Sequence, residues 1–263
     1  MPQLSSQSLP DVHGERDSRG RAIQKVGISN VRHSFQFCSS KAASPTVGVW
    51  CLMASLGKDE RGTHMSRFME ILSGLKEPQT IESLVEVSEQ IRERLSAEDA
   101  FLSVDFPWFV EKTAPVSKSK GLLDFDVQIE IARGTSNGCT VTLKVPATSL
   151  CPCSKSISKY GAHNQRCELT VSVRFAEGET ISLEELFRIT EESASAQLFS
   201  VIKRDDEKWV TEQAYENPKF VEDAVRDLAD SLERDSRIQW YRCSSENFES
   251  IHNHDAFAVI ESD

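Results

Sequence analysis

Between Leu123 and Ile131 apolar and polar residues alternate without a break: Leu123, Phe125, Val127, Ile129 and Ile131 stand between Asp124, Asp126, Gln128 and Glu130. A period of two sends the two sets to opposite faces of an extended chain, so the segment predicts a half-buried strand. Val141, Leu143 and Val145, and later Leu169, Val171, Val173 and Phe175, repeat the pattern. Val26–Cys38, Val47–Leu56, Phe101–Val110, Ile238–Cys243 and Ala256–Ile260 also read as strands. Elsewhere the spacing is helical. Ser66–Leu75 reads as a helix, and Ile81–Leu95 as a second with Leu84, Val87, Ile91 and Leu95 on one face. Ser182-x-x-Glu185 has the form of a capping box and predicts a long helix through Leu186, Phe187, Leu198 and Ile202. Asn217-Pro218 predicts the cap and first position of another helix carrying Val221, Val225, Leu228 and Leu232.

The elements come as strand, strand, helix, helix, strand, strand, twice over. Short links make the strands antiparallel and place the helices on one face, an α+β fold of two tandem ββααββ modules. Residues 25–134 form the first module and 135–263 the second, with a turn at Asn137-Gly138. Residues 1–24 are polar and read as a flexible arm. The halves share element order, not sequence.

Composition narrows the partners. The net charge of −11 disfavours general binding to nucleic acid or anionic membrane, so an anionic ligand needs a locally basic pocket. No apolar run is long enough to span a membrane, and Met1–Arg21 lacks the apolar core of a secretory signal. Seven cysteines, an odd number, without an export signal point to reduced thiols in a cytoplasm.

Lys144–Glu168 is the longest stretch with weak periodicity, and it concentrates chemistry: Cys151, Cys153, Lys155, Lys159, His163 and Arg166. Thiolate and neutral imidazole are natural ligands of zinc and related metals. Cys-x-Cys without a second pair does not suit a structural zinc ribbon, whereas a catalytic metal needs only three protein ligands. On spacing alone the two cysteines and His163 read equally well as ordinary buried or loop residues. If the segment between the cysteines is extended, their side chains point to opposite sides and only one can face an ion. Lys155, Lys159 and Arg166 form a basic cluster suited to phosphate, or a solvated loop. Lys203–Trp209 reads on composition as a solvated charge run between two helices, and His252-Asn253-His254-Asp255 as an exposed turn. No glycine-rich dinucleotide or P-loop motif is present.

Ser149-Leu150-Cys151-Pro152-Cys153-Ser154-Lys155, with Tyr160-Gly161-Ala162-His163-Asn164-Gln165-Arg166, resembles the signature of the type IB GTP cyclohydrolases, prokaryotic enzymes of folate biosynthesis. Gly62–Phe68, Asp206–Glu212, Ala214–Pro218, Phe220–Asp223, His252–Ala256, and Pro10-Asp11-Val12 with Lys25-Val26-Gly27 are similar to further family blocks, so the resemblance covers roughly residues 10–261. It implies a tunnelling fold, which agrees with the element order, assembled as a homotetramer with active sites at subunit interfaces. It also implies Cys151, His163 and Glu207 as metal ligands, and Glu222 as the anchor of the guanine edge. His252, or His254 in its place, lies near the reacting centre. Lys155, Lys159 and Arg166 are candidates for the triphosphate. Cys153 is left as a thiol outside the ligand set. Two positions depart from the pattern, Asp205 where proline is expected and Cys167 where a small hydroxyl residue is expected.

The activity implied is hydrolysis of GTP to formate and 7,8-dihydroneopterin triphosphate, using a divalent metal (Zn, Mn or Fe) and no organic cofactor. One thiolate, one imidazole and one carboxylate do not select sharply among those metals. The competing readings are a tunnelling-fold nitrile reductase, with a cysteine nucleophile and NADPH, and a noncatalytic purine- or pterin-binding protein with a structural metal.

Overall fold

A computed structural model of the chain describes residues His13, Glu15–Ser40 and Ala42–Asp263; Pro10-Asp11-Val12 and most of the N-terminal arm lie outside them. Fourteen elements follow in the order β1 (Ile23–Cys38), β2 (Ala43–Leu56), α1 (Met65–Ser73), α2 (Ile81–Arg94), β3 (Ala100–Thr113), β4 (Lys120–Arg133), β5 (Gly138–Leu150), α3 (Pro152–Ile157), β6 (Asn164–Phe175), α4 (Leu183–Glu191), α5 (Arg204–Glu216), α6 (Val221–Glu233), β7 (Ile238–Asn247) and β8 (Ala256–Glu261). The strands pair in sequence order, all antiparallel, in a single eight-stranded sheet. The α+β class and the antiparallel strands agree with the sequence reading. The two halves join through β4 and β5, from Asp126↔Lys144 to Ala132↔Gly138. Gly134 makes that turn possible: its φ is +126°, and a Cβ there would lie 2.3 Å from the Glu98 carbonyl oxygen.

The period of two sorts the sheet into two faces. Phe125, Val127, Ile129 and Ile131 of β4, Val141, Leu143 and Val145 of β5, and Val171 and Val173 of β6 are buried on one face. They pack in one core with Phe68 and Leu72 of α1, Leu84 and Ile91 of α2, Leu186 and Phe187 of α4, and Leu228 and Leu232 of α6. On the opposite face Asp124, Asp126 and Glu130 are exposed. Among the described residues no helix is long and apolar enough to cross a membrane.

Four helix assignments differ from the sequence reading, one of them the short α3 inside the stretch read as weakly periodic. Ser182 does cap α4, accepting from the Glu185 N–H at 3.2 Å, but the helix stops at Glu191 and does not run to Ile202. Backbone of the next residues is taken by β5: Ser195 and Ala196 donate to the Thr148 carbonyl, and Thr148 donates to Ala196. Those bonds replace the helical ladder. The Lys203–Trp209 charge run is itself helical, within α5. Buried Asp206 accepts from the Lys203 N–H and from the Val116 and Ser117 N–H groups of the β3–β4 turn. Burial alone would raise its pKa; bonds from Ser117, Lys203 and Val116 hold the carboxyl well below the usual range. Asn217 ends α5 instead of opening α6, because its side-chain amide donates to the Ala194 and Ser195 carbonyls. The α6 start falls at Val221, where Asp223 accepts from the Phe220 N–H.

At the N-terminus the strand begins at Ile23, and part of the arm docks on the loop after β2. Asp17 donates to the Asp59 carbonyl, Arg61 donates to Glu15, and His13 lies against His64 with ring centroids 4.8 Å apart.

Candidate active site

Three polar segments meet where β5 and β6 end. Leu150 pairs with Asn164, and just beyond it the Cys151 N–H donates to the His163 carbonyl at 3.2 Å. Cys151 caps α3, whose first residue is Pro152, a position where the missing N–H costs nothing. Its sulfur accepts from the Ser154 N–H at 3.4 Å, and Ser154 Oγ in turn accepts from the His163 N–H at 3.2 Å. Cys151 and His163 are therefore held beside each other by the hairpin and by Ser154.

The segment between the cysteines is a helical turn and not extended, so the premise of opposite-pointing side chains does not apply. The cap and the second helical position still separate them: Cys151 is half-buried and Cys153 is exposed. Burial pushes the thiols of Cys139 and Cys243 up to about 11 and that of Cys167 up to about 12, which makes these three inert packing residues.

Beneath His163 lies a polar chain. Its Nδ1 is 3.0 Å from Gln165 Oε1, 3.5 Å from Ser250 Oγ and 3.9 Å from a Glu249 carboxylate oxygen. Ser149 Oγ accepts from Gln165 Nε2 at 3.4 Å and from Asn247 Nδ2 at 2.8 Å. Ser149, Gln165 and Asn247 are all buried. Sequence reading missed these residues. The signal for Gln165 was present: Gln165, Cys167 and Leu169 sit on one face of β6, two residues on from His163, so a carboxamide falls in line with buried apolar residues.

The other proposed residues surround this pair at different distances. Lys219, just before α6, donates its N–H to the Leu150 carbonyl at 3.1 Å, which brings the α6 N-terminus and exposed Glu222 to the end of β5. His252 and His254 are exposed in the β7–β8 loop, with rings stacked 5.0 Å apart; Ser250 in the same loop reaches Gln165 and His163. Lys155 points to α5, donating to the Tyr215 carbonyl with its ammonium 4.3 Å from that ring's centroid. Lys159 and Arg166 are exposed. Glu207 is exposed on α5. Among the described residues no group of three or more His, Cys, Asp or Glu side chains is close enough to hold a metal ion. The single chain thus pairs Cys151 with His163 across the backbone; a thiol and an imidazole are residue types suited to a borderline-soft divalent metal. It does not bring Glu207 into a group with them.

A family described as type I GTP cyclohydrolase FolE2 matches residues 9–258. A protein of Burkholderia lata named GTP cyclohydrolase FolE2 2 is 49% identical over 259 residues, 97% of this chain and 95% of the relative. GTP cyclohydrolase FolE2 of Magnetococcus marinus is 47% identical over 96% of each chain, and that of Dichelobacter nodosus 46% identical over 98% of this chain and 99% of the relative. Among solved structures, urate oxidase of Bacillus subtilis superposes with a TM-score of 0.55 at 10% identity, covering 91% of this chain and 98% of that one. A urate oxidase of Bacillus sp. TB-90 gives 0.52 at 8% identity, covering 91% and 99%. At such identities the two structures speak for a shared tunnelling-type fold alone. From the family match and the full-length relatives, the chain belongs to the type I GTP cyclohydrolase FolE2 family.

Proposed function

We propose that this protein is a GTP cyclohydrolase of type IB, converting GTP and water to formate and 7,8-dihydroneopterin triphosphate, the entry to tetrahydrofolate biosynthesis. The observation that carries the reading is Cys151 beside His163 at the end of the β5–β6 hairpin, in a chain of this family. Cys151 and His163 would hold a divalent metal (Zn, Mn or Fe), with Glu207 as the third ligand. When bound, such an ion lowers the pKa of a coordinated water and so supplies the nucleophile for C8 of the purine. Glu222 accepts from the guanine N1–H and exocyclic amine and orients the base. His252 or His254 moves protons as the imidazole ring opens. Lys159 and Arg166 are open to the triphosphate, whereas Lys155 would first have to leave Tyr215.

Glu207 is separate from the pair within one chain, which suits a site completed by assembly, with the homotetramer as the expected form. β8 pairs on one side only, and so does β1 apart from a bridge between Phe37 and Gln79 at its end, which leaves open edges. Ile157, Tyr160, Ile251 and Phe257 are exposed apolar side chains near that end of the sheet. A cytoplasmic location follows from the substrate and the free thiols. Family membership favours this activity over nitrile reduction and over noncatalytic binding.

The test is incubation of metal-reconstituted protein with GTP, following formate and the fluorescence of the oxidised pterin. Chelator-treated protein should be inactive and recover with added divalent metal; full activity in protein shown to be metal-free would overturn the proposal. Glu222→Gln should weaken GTP use at subsaturating substrate by about 1.5–3 kcal/mol, roughly 10- to 150-fold, because one acceptor of a charge-assisted pair is lost. Metal content should stay unchanged, and unaltered kcat/KM would make Glu222 an ordinary surface carboxylate.

A further inference from the structure

Every polar atom facing Nδ1 of His163, apart from the hydroxyl of Ser250, is an acceptor. Gln165 Oε1 is 3.0 Å away and the Glu249 carboxylate 3.9 Å. A lone pair on Nδ1 would point at that carboxylate, whereas an N–H there is stabilised by both groups. In a neutral imidazole the proton on one nitrogen leaves the lone pair on the other. Nε2 has no hydrogen-bond partner among the described residues.

The Gln165 amide is buried against Ser149, and the acceptor-only Glu249 carboxylate decides which end of it meets the ring: with an N–H on Nδ1, Gln165 presents its oxygen there. Its Nε2 donates to Ser149 Oγ, which also accepts from Asn247 Nδ2, and all three side chains are buried. Ser250 Oγ adds a donor to Gln165 Oε1 at 3.4 Å. With the Gln165 oxygen toward the ring, Asn247, Ser149, Gln165 and His163 form one consistent order, both amide nitrogens donating to Ser149 Oγ.

We infer that Gln165, anchored through Ser149 to Asn247, is a positioning residue that fixes His163 as the Nδ1–H tautomer and presents its Nε2 lone pair for coordination. The inference rests on the reading of His163 as a ligand for its purpose, but not for its first observable. A ring ligand held this way keeps its orientation and does not have to change tautomer before an ion binds.

The experiment uses the full-length, metal-free protein with 15N-labelled histidine, at about pH 8.5, where an ordinary imidazole is neutral. Long-range 15N–1H correlations report the tautomer, and His163→Gln identifies the His163 signals. Wild type should show mainly Nδ1–H. Gln165→Leu should lose that preference and bind zinc roughly 10- to 100-fold more weakly, as expected for loss of an outer partner of a ligand. Gln165→Glu, which keeps an acceptor, should retain the tautomer. If Gln165→Leu does not fold, Ser149→Ala removes the anchor and should relax the tautomer in the same direction. Wild type as Nε2–H, or a tautomer untouched by both Gln165→Leu and Ser149→Ala, would overturn the inference; loss only in Glu249→Gln would transfer the role to Glu249. Full zinc occupancy in His163→Gln would instead remove the ligand reading, with the tautomer spectrum still deciding the role of Gln165.

Discussion

Cys151→Ala should lose its metal and lower GTP turnover by more than about 100-fold, beyond the range for an outer hydrogen-bond partner, whereas Cys153→Ala should keep its metal. The two residues are two apart, yet their surroundings differ. Cys151 is the cap of α3, half-buried, its sulfur approached by the Ser154 N–H and its backbone tied to His163. Cys153 is exposed on the helix itself, and among the described residues no hydrogen bond directs it toward His163. Removing the thiolate from a three-ligand site leaves two ligands, too few for a stable catalytic centre. Any loss of activity in Cys153→Ala should come without loss of metal. Metal analysis of both purified variants, alongside turnover, checks the assignment. Metal lost from Cys153→Ala and retained in Cys151→Ala would reverse it.

Lys112→Met should destabilise the fold by about 3–5 kcal/mol, the usual consequence of leaving one member of a buried ion pair without its partner. The Lys112 ammonium meets the Glu191 carboxylate where β3 of the first half touches the end of α4 of the second, and the two side chains are only 10% and 5% exposed. Gln197 Oε1 accepts from the same ammonium at 3.0 Å, and the Phe199 ring lies 4.8 Å from it. Lys112 thereby fixes the irregular segment after α4 that lies along the end of β5. Burial raises the Glu191 pKa above 4.5, with Lys112 opposing the shift only in part. The folded state therefore holds this proton at a pH where the unfolded chain has released it. Stability contributed by the group is present below about pH 4.5 and falls as pH rises through the folded pKa. Without Lys112 that fall should steepen. Adding Glu191→Gln to Lys112→Met should restore part of the loss near neutral pH, because no buried charge remains. Chemical denaturation at several pH values measures both effects; equal stability of wild type and Lys112→Met would show the pair to be solvated.

How much of this was legible in the chain depended on the range of the interaction involved. Alternation over Leu123–Ile131 and Leu169–Phe175 identified β4 and β6 correctly because one solvent face and one core face act on every second residue, a purely local signal. The Ser182 cap was equally local. The end of α4 was not: the residues after Glu191 keep helical spacing, and only the carbonyl and N–H of Thr148, distant in sequence, remove them from the helix. Asn217 looked like a helix start because its cap preference is intrinsic, yet its partners are the Ala194 and Ser195 carbonyls. Asp206 read as one charge among several, until burial and three N–H donors from two separate segments singled it out.

The same division holds at the site. Sequence by itself determined, through the family blocks, which family the chain belongs to, and it marked out the candidates for the chemistry, because both depend on side-chain identity at fixed spacing. Only the tertiary structure decided which of them stand together. Strand pairing sets Cys151 against His163, and β7 delivers Asn247 and the Glu249–Ser250 pair beneath the ring. Glu207 is left on α5, outside that group. The sheet's hydrogen-bond register fixes those neighbours, and no property of the residues taken one at a time encodes a register between strands far apart in the chain.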